Sequence, residues 1–484
     1  MTPPSQPCLL RAFTGLALLV AVSCGAPLPG EDDAGALPDA GSPEDDAGAA
    51  GDAGTADAGD GLDAGDATDA GGGTDAGLPD AGAVDAGPQV LVYPVGRLHS
   101  PLTPGVAAHL RAVAARGPAL KDDVFAKVGD SNTVNTNYVA CFAGANVDLA
   151  GRAALVPTLD AFRAGRAGST TPFDRISQAA TVGWSAGAAL AGTPSPLDAE
   201  VSAISPRFAT VMFGTNDVGF QDPYTFGRNL FTIADTLLAR GVVPVFTAVP
   251  RRDDNATADA WVPRYNLVAR GVAQARRVPF VDLHQALETV PAHGLGSDGV
   301  HLNVYAPSGA RGCVLTSTGL GYGHNTRNLL TLEALARARG AVLGQPAPDA
   351  TGPMRVGDGT LASPIVIDQL PFVDVRDTRV DGERRVASYP GCASAANEAG
   401  PEVLYRLELA SPATVRAFVV SLAGVDVDVH LLSAPGDGQA CLSRNDRVVV
   451  RALAAGTYWL SLDTYVTGGV EQAGEYLVAV MVDP

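Results

Sequence analysis

The stretch that decides the fold is residues 124–135, Val-Phe-Ala-Lys-Val-Gly-Asp-Ser-Asn-Thr-Val-Asn. Val124 to Val128 form an apolar run with one Lys, which reads as a buried strand. That run passes straight into Gly129-Asp130-Ser131-Asn132, so Ser131 falls at the C-terminal mouth of a sheet. Gly129 permits a sharp turn, and the residues after it can start a helix whose N-terminal amides favour negative charge. Gly-Asp-Ser alone is ordinary turn chemistry, so the surroundings must decide its meaning.

Working outward, residues 208–213, 242–249 and 278–283 are further apolar runs of strand length, and 226–240 and 260–276 carry helical spacing between them. Strand–helix alternation from about 89 to 343 predicts a three-layer α/β/α domain around a parallel sheet, with both faces covered. Functional groups then gather beyond the C-terminal ends of the strands. The run 208–213 ends in Gly214-Thr215-Asn216-Asp217, which brings the Asn216 amide to the same edge as Ser131. After the last strand, Asp298 and His301 stand three residues apart in Ser-Asp-Gly-Val-His. That spacing lets the carboxylate hold the imidazole and stabilise its charged form. Gly183 lies between the Ser and Asn blocks.

The ordered set of Ser in Gly-Asp-Ser, Gly, Asn in Gly-Thr-Asn-Asp and His in Asp-x-x-His resembles the SGNH (GDSL-type) hydrolases. The resemblance covers 89–343. It implies a flavodoxin-like fold and a serine esterase working through an acyl-enzyme, with Ser131 as nucleophile, His301 as general base and Asp298 as its orienter. The Ser131 amide, the Gly183 amide and the Asn216 side chain would form the oxyanion hole. The family spans lipases, thioesterases and carbohydrate deacetylases, so the expected partner is an ester, with O-acetyl groups on a polysaccharide favoured because no long apolar lid is visible. A tethered glycan-binding protein without turnover is the alternative, against which the intact motif set argues. Residues 304–322, Gly-rich and carrying Cys313, depart from the family pattern and stand where they could shape or cover the pocket.

A second serine competes with Ser131. Gly183-Trp184-Ser185-Ala186-Gly187 fits the G-x-S-x-G elbow of α/β-hydrolases, which requires a buried strand immediately before it. Residues 173–182 are too polar for that strand, so Ser185 is read as a bystander and Gly183 as the useful member of the motif. Trp184 either lines a pocket or packs in the core. No cofactor and no catalytic metal are expected. His293 lies near Asp298 and His301, but no His-Glu-x-x-His or Cys/His spacing supports a metal there. His99, His109, His284, His324 and His430 are read as surface or satisfied core residues.

The ends of the chain carry different signals. Arg11 precedes an apolar run at 13–22 that has the length of a signal segment and is too short to span a membrane. Ala21-Val22-Ser23-Cys24 resembles a lipobox, which would make 1–23 a lipoprotein signal and Cys24 a lipidated, surface-anchoring residue. Residues 24–88 are Asp-Ala-Gly triplets without core-forming side chains, expected to be a disordered tether reaching ~45 Å or more. Of the net charge of −19, 16 acidic residues fall between 25 and 87, where no Lys or Arg occurs. The remainder is nearly neutral, which argues against a nucleic-acid surface.

Residues 344–364 read as a second linker. From 365 to 484 short alternating runs separated by Gly, Pro and Asp predict an all-β sandwich. Asp-Val-Asp-Val-His-Leu-Leu (426–432) and Leu-Ala-Ala-Gly-Thr-Tyr-Trp (453–459) are similar to the pre-peptidase C-terminal domains of secreted bacterial enzymes. Asp426 and Asp428 alternate on one predicted strand and are candidate structural Ca²⁺ ligands, a solvated face being the alternative. Cys141, Cys313, Cys392 and Cys441 remain after Cys8 and Cys24. Pairing Cys141 with Cys313 and Cys392 with Cys441 keeps each bridge within one predicted domain, as expected for an exported chain.

Overall fold

The computed structural model describes residues 90–307 and 312–483. The signal, Cys24 and the tether therefore lie outside the described residues. The first region runs α1 (Pro104–Arg116), β1 (Lys121–Gly129), α2 (Ser131–Val134), α3 (Val156–Ala164), α4 (Pro196–Ile204), β2 (Pro206–Met212), α5 (Pro223–Ala239), β3 (Val243–Thr247), α6 (Ala256–Ala275), β4 (Phe280–Val281), α7 (Leu283–Leu287) and α8 (Gly323–Val342). Strands β1 to β4 lie side by side in chain order, all parallel. The central strands are buried along nearly their whole length, as a sheet covered on both faces requires.

Beyond β1, Gly129 makes a single parallel bridge to Ala180. The chain thus departs from β1 to one side, at Ala180, and returns on the other, at β2. Ser131 follows β1 directly, so it stands at the point where the order of connection reverses, the crevice where open α/β sheets bind ligands.

The second region comprises β5 (Ile365–Ile367), β6 (Phe372–Asp377), α9 (Thr378–Asp381), β7 (Val403–Leu409), β8 (Ala413–Ser421), β9 (Val427–Leu432), β10 (Cys441–Asn445), β11 (Val448–Leu453), β12 (Gly456–Thr464), the short pair β13 (Val466–Thr467) and β14 (Val470–Glu471), and β15 (Glu475–Val482). They form a sandwich of one sheet ordered β10-β9-β12-β7-β5 on another ordered β11-β8-β15-β6, closed over its own apolar core. Strand β9 begins at Val427, so Asp426 precedes it and is exposed, whereas Asp428 is buried.

The sandwich lays β6, β8 and β15 on helices α5 and α6. Two mid-helix glycines permit this: a Cβ on Gly227 would come within 2.9 Å of Val420, and one on Gly271 within 2.6 Å of both Leu477 and Val373. Arg264 pairs with Asp483 at 2.9 Å across the same seam. Residues 344–364 form no helix or strand, yet Asp349 fastens them by accepting from Leu102 N, Arg97 and Arg337. Disulfides join Cys141 to Cys313 and Cys392 to Cys441, which fits an oxidising compartment. No helix among the described residues is long and apolar enough to cross a membrane.

Candidate active site

Strand β1 ends at Gly129, where a Cβ would sit 2.3 Å from Thr133 Oγ1 and 2.6 Å from Met212 O. Only glycine lets the chain turn that tightly. The buried Asp130 caps the turn, its Oδ1 accepting from Asn132 N at 3.0 Å. Burial pushes the Asp130 carboxyl above the usual carboxylate range, with the Arg327 charge among the effects opposing it. The helix that follows is a single turn, so the N-terminal charge expected from a helix macrodipole is small, and the local amides themselves carry the effect.

Asp298 shapes the opposing loop. Its Oδ1 accepts from Val300 N at 3.1 Å and His301 N at 3.0 Å, which folds the Asp-x-x-His segment into a tight turn. Its Oδ2 lies 2.7 Å from His301 Nδ1, and His301 Nε2 lies 2.9 Å from Ser131 Oγ. These bonds hold the Asp298 carboxyl down to about 2, the His301 side chain being the largest cause. With Nδ1 donating to an ionised carboxylate, Nε2 is free to accept the Ser131 proton. A hydroxyl, a base and an orienter in that chain of contacts can activate oxygen for attack on a carbonyl.

The loop at 181–187 comes to the same edge. Gly183 sits at φ +79, is exposed, and its amide, like that of Ser131, donates to no group among the described residues. Asn216 Nδ2 donates to Trp184 O at 2.9 Å, and Asp217 Oδ1 accepts from Ala186 N at 2.9 Å. Burial lifts the Asp217 carboxyl to about 6. Asn216 thereby ties the Gly183 loop down with one amide hydrogen and keeps the other. Trp184 is half-buried and packs against the core. Ser185 opens a 3₁₀ turn and its hydroxyl engages no histidine among the described residues, so the G-x-S-x-G match has no base beside it. His293 pairs with Asp253 at 3.0 Å rather than joining His301.

A layer that sequence reasoning did not anticipate lies beneath these loops. Residues 324–328, His-Asn-Thr-Arg-Asn, are polar at every position and yet all buried. Arg327 donates to Asn132 O at 2.7 Å and Thr133 Oγ1 at 3.0 Å, with its guanidinium 3.7 Å from the Tyr138 ring centre. Asn325 holds the backbone of Tyr305 and Val314, and Asn328 holds Val139, Asn137 and Gly312. The described parts of 304–322 are thus bolted to α8, and the Cys141–Cys313 bridge adds a covalent tie. Asn132 Oδ1 accepts from Leu302 N at 3.2 Å, joining the serine turn to the residue after His301. His324 and His430 are buried without hydrogen-bond partners, which corrects their reading as satisfied residues. Burial, and then the Arg327 and His301 charges, lowers His324 to about 3, so it stays neutral under the site.

A cavity of about 1060 Å³ lies elsewhere, between α1, the end of α6 and the sandwich, and none of the motif residues lines it.

The family model of GDSL-like lipases and acylhydrolases matches residues 128–305. Among solved structures, a catalytic mutant of an acetylxylan esterase from Geobacillus stearothermophilus is 15% identical and covers 44% of this chain and 93% of its own, with a TM-score of 0.29. A GDSL-like lipase from Bacteroides thetaiotaomicron is 17% identical over 48% of this chain and 99% of its own, at 0.28. The pre-peptidase C-terminal domain of a collagenase from Bacillus anthracis is 14% identical over 23% of this chain and 89% of its own, at 0.16. None of the curated proteins matches the chain.

Proposed function

Since residues 128–305 form a GDSL-like lipase/acylhydrolase domain and the protein is a serine ester hydrolase, we propose that Ser131 is its nucleophile. His301 removes the Ser131 proton as Oγ attacks the ester carbonyl, and Asp298 stabilises the imidazolium that results. The oxyanion of the tetrahedral intermediate is held by the Ser131 and Gly183 amides and the second amide hydrogen of Asn216. Collapse expels the alcohol with the proton from His301. Water, activated by the same base, then releases the acid from the acyl-enzyme. The observation that carries this reading is the continuous Asp298–His301–Ser131 hydrogen-bond chain at the mouth of the sheet.

The substrate we favour is a short acyl ester on a large polar carrier, such as an O-acetylated polysaccharide. What supports it is the openness of the site: the His301 and Asp298 side chains are 40% and 53% exposed. A long acyl chain gains about 0.8 kcal/mol per methylene only where it is buried. One observation favours a second reading, a lipase or thioesterase acting on longer chains. Val134, Val182 and Phe220, each within four residues of a motif residue, are exposed apolar side chains. We further propose that Cys24 is lipidated and that residues 24–88 hold the enzyme off an outer membrane or cell surface.

A fluorophosphonate probe followed by peptide mapping tests the chemistry. Label on Ser131, with Ser131→Ala losing both label and p-nitrophenyl acetate hydrolysis and Ser185→Ala keeping both, is the expected result. Label on Ser185, or an active Ser131→Ala protein, would overturn it. Rates falling from acetate to longer acyl esters support the short-chain substrate, and rising rates support the second reading.

A further inference from the structure

The outer face of the β10-β9-β12-β7-β5 sheet points away from the sandwich core, yet around β9 it is closed to solvent. Along β9, Val427, Val429 and Leu431 enter the core, so Asp428 and His430 point to the other side. Their cross-strand neighbours continue the polar face: Asp463 stands opposite Asp428, and Ser461 and Arg444 flank His430. The segment 382–402 crosses over this part of the face and buries Asp428, His430, Ser461 and Asp463. It is held there by the Cys392–Cys441 bridge, by Tyr389 stacked on His430 with ring centres 3.5 Å apart, and by the Tyr389 hydroxyl on Ser461 at 3.1 Å. Glu398 and Glu402 arrive on the same segment.

The result is a buried surplus of acid. Glu398, Glu402, Asp428 and Asp463 are at most 4% exposed, and Arg444 is the cation hydrogen-bonded among them, reaching Glu398 at 3.3 Å and Asp428. Carboxylates facing each other across strands repel, and buried acids ordinarily have partners. Here Glu398 Oε2 and both ring nitrogens of His430 have none among the described residues, although His430 is wholly buried. One oxygen of Glu398, one of Asp428 and one nitrogen of His430 lie within 4.8 Å of one another.

From this convergence we propose that Glu398, Asp428 and His430 bind a divalent transition metal, of which Zn²⁺ is the best match. An imidazole with two carboxylates suits Zn²⁺ better than Ca²⁺, which takes oxygen ligands. A tetrahedral zinc with bonds of roughly 2.0–2.1 Å needs ligand atoms about 3.4 Å apart, so from within 4.8 Å the three side chains close by up to about 1.4 Å. Arg444 is the group that must yield. Its side chain is 23% exposed and already lies 3.5 Å from the exposed Asp446, toward which it can turn. The metal would pin the covering segment to β9 beside the disulfide, with water as the fourth ligand.

The test uses the purified full-length protein, stripped with EDTA and desalted, then supplied separately with ZnCl₂, CoCl₂ and CaCl₂. The expected result is about one zinc retained per chain by mass spectrometry, with a melting temperature raised by several degrees. Co²⁺ should give the visible absorption of a tetrahedral site with a nitrogen ligand, a readout that needs no variant. Glu398→Gln and His430→Gln should lose retention, and Arg444→Met, which removes the competitor, should bind at least tenfold more tightly. No retained zinc and no Co²⁺ spectrum would overturn the proposal. So would Ca²⁺ raising the melting temperature equally in the wild type and His430→Gln, or Arg444→Met failing to strengthen binding.

Discussion

Arg327 offers the sharpest test of how the site is built, because it touches neither substrate nor the reacting atoms. It is 1% exposed and makes two hydrogen bonds to the serine turn, at 2.7 Å and 3.0 Å. Replacing it with Met keeps volume and apolar contact but removes both donors and leaves Asp130 without the Arg327 charge. Leaving Asn132 O and Thr133 Oγ1 buried without their charged donor costs about 1–3 kcal/mol each. That is a large share of the roughly 5–15 kcal/mol that holds a domain together. Arg327→Lys keeps the charge and loses the planar fork, so about 1–3 kcal/mol should go. Urea denaturation followed by tryptophan fluorescence gives the stability, and the rate of fluorophosphonate labelling reports the geometry of the serine turn. A displacement of about 1 Å there should slow labelling by ~100-fold. We expect Met to be worst on both scales and Lys intermediate. A folded Arg327→Met protein with an unchanged denaturation midpoint and labelling rate would refute the idea that α8 positions the nucleophile.

Other perturbations reach other parts of the structure. Asp217 is raised by burial from 3.8 to about 6, so its favourable contribution is present below pH 3.8 and is lost as pH rises through 6. Asp217→Asn, which retains an oxygen for Ala186 N, should exceed the wild type by on the order of 3 kcal/mol above pH 7. The gap should shrink toward pH 4, and a pH-independent gap in paired denaturation curves would contradict the assignment. Replacing Cys141 and Cys313 by Ser opens a bridge between residues 172 apart in sequence and should cost about 2–5 kcal/mol, measured by the same denaturation. Gly271→Ala should gain up to about 1 kcal/mol in a free helix but here meets Leu477 and Val373, and overpacking costs about 1–3 kcal/mol. A lower melting temperature is expected, and a higher one would mean that the sandwich does not dock on α6 in solution.

Much of this was legible in the sequence, for identifiable reasons. The strands of the parallel sheet are short apolar runs, and a buried strand has no other way to look. Ser131 and Asn216 stand just past the ends of such runs, Asp298 and His301 follow the last of them at a distance, and the structure brings Ser131, Asp298 and His301 into contact. What could not be read is what depends on distant partners. Gly227 and Gly271 look like weak points in two helices until the sandwich arrives to fill the space of the missing side chains. Strands β5 and β6, at the start of the sandwich, do not stand out in the sequence because they are short and Pro371 falls between them. His430 reads as an ordinary core residue because nothing local reveals that neither nitrogen finds a partner.

The buried polar run of α8 is the instructive case. Polar residues at successive helix positions signal a solvated face only if the neighbours are water. Around residues 324–328 the neighbours are loop backbones at 137–139, 305 and 312–314 and the one-turn helix at 132, which have little secondary structure to satisfy their carbonyls and amides. Amide and guanidinium side chains supply those bonds, and an apolar helix face could not. The design follows from where the reactive groups sit. A one-turn helix after β1 cannot fix the serine by its own ladder, and the histidine lies on a turn held by Asp298. Their alignment to 2.9 Å therefore rests on side chains reaching in from α8 and from Asn132. Substitutions in that run should accordingly slow labelling of Ser131 before they alter the sheet, whereas substitutions in β2 or β3 should do the reverse.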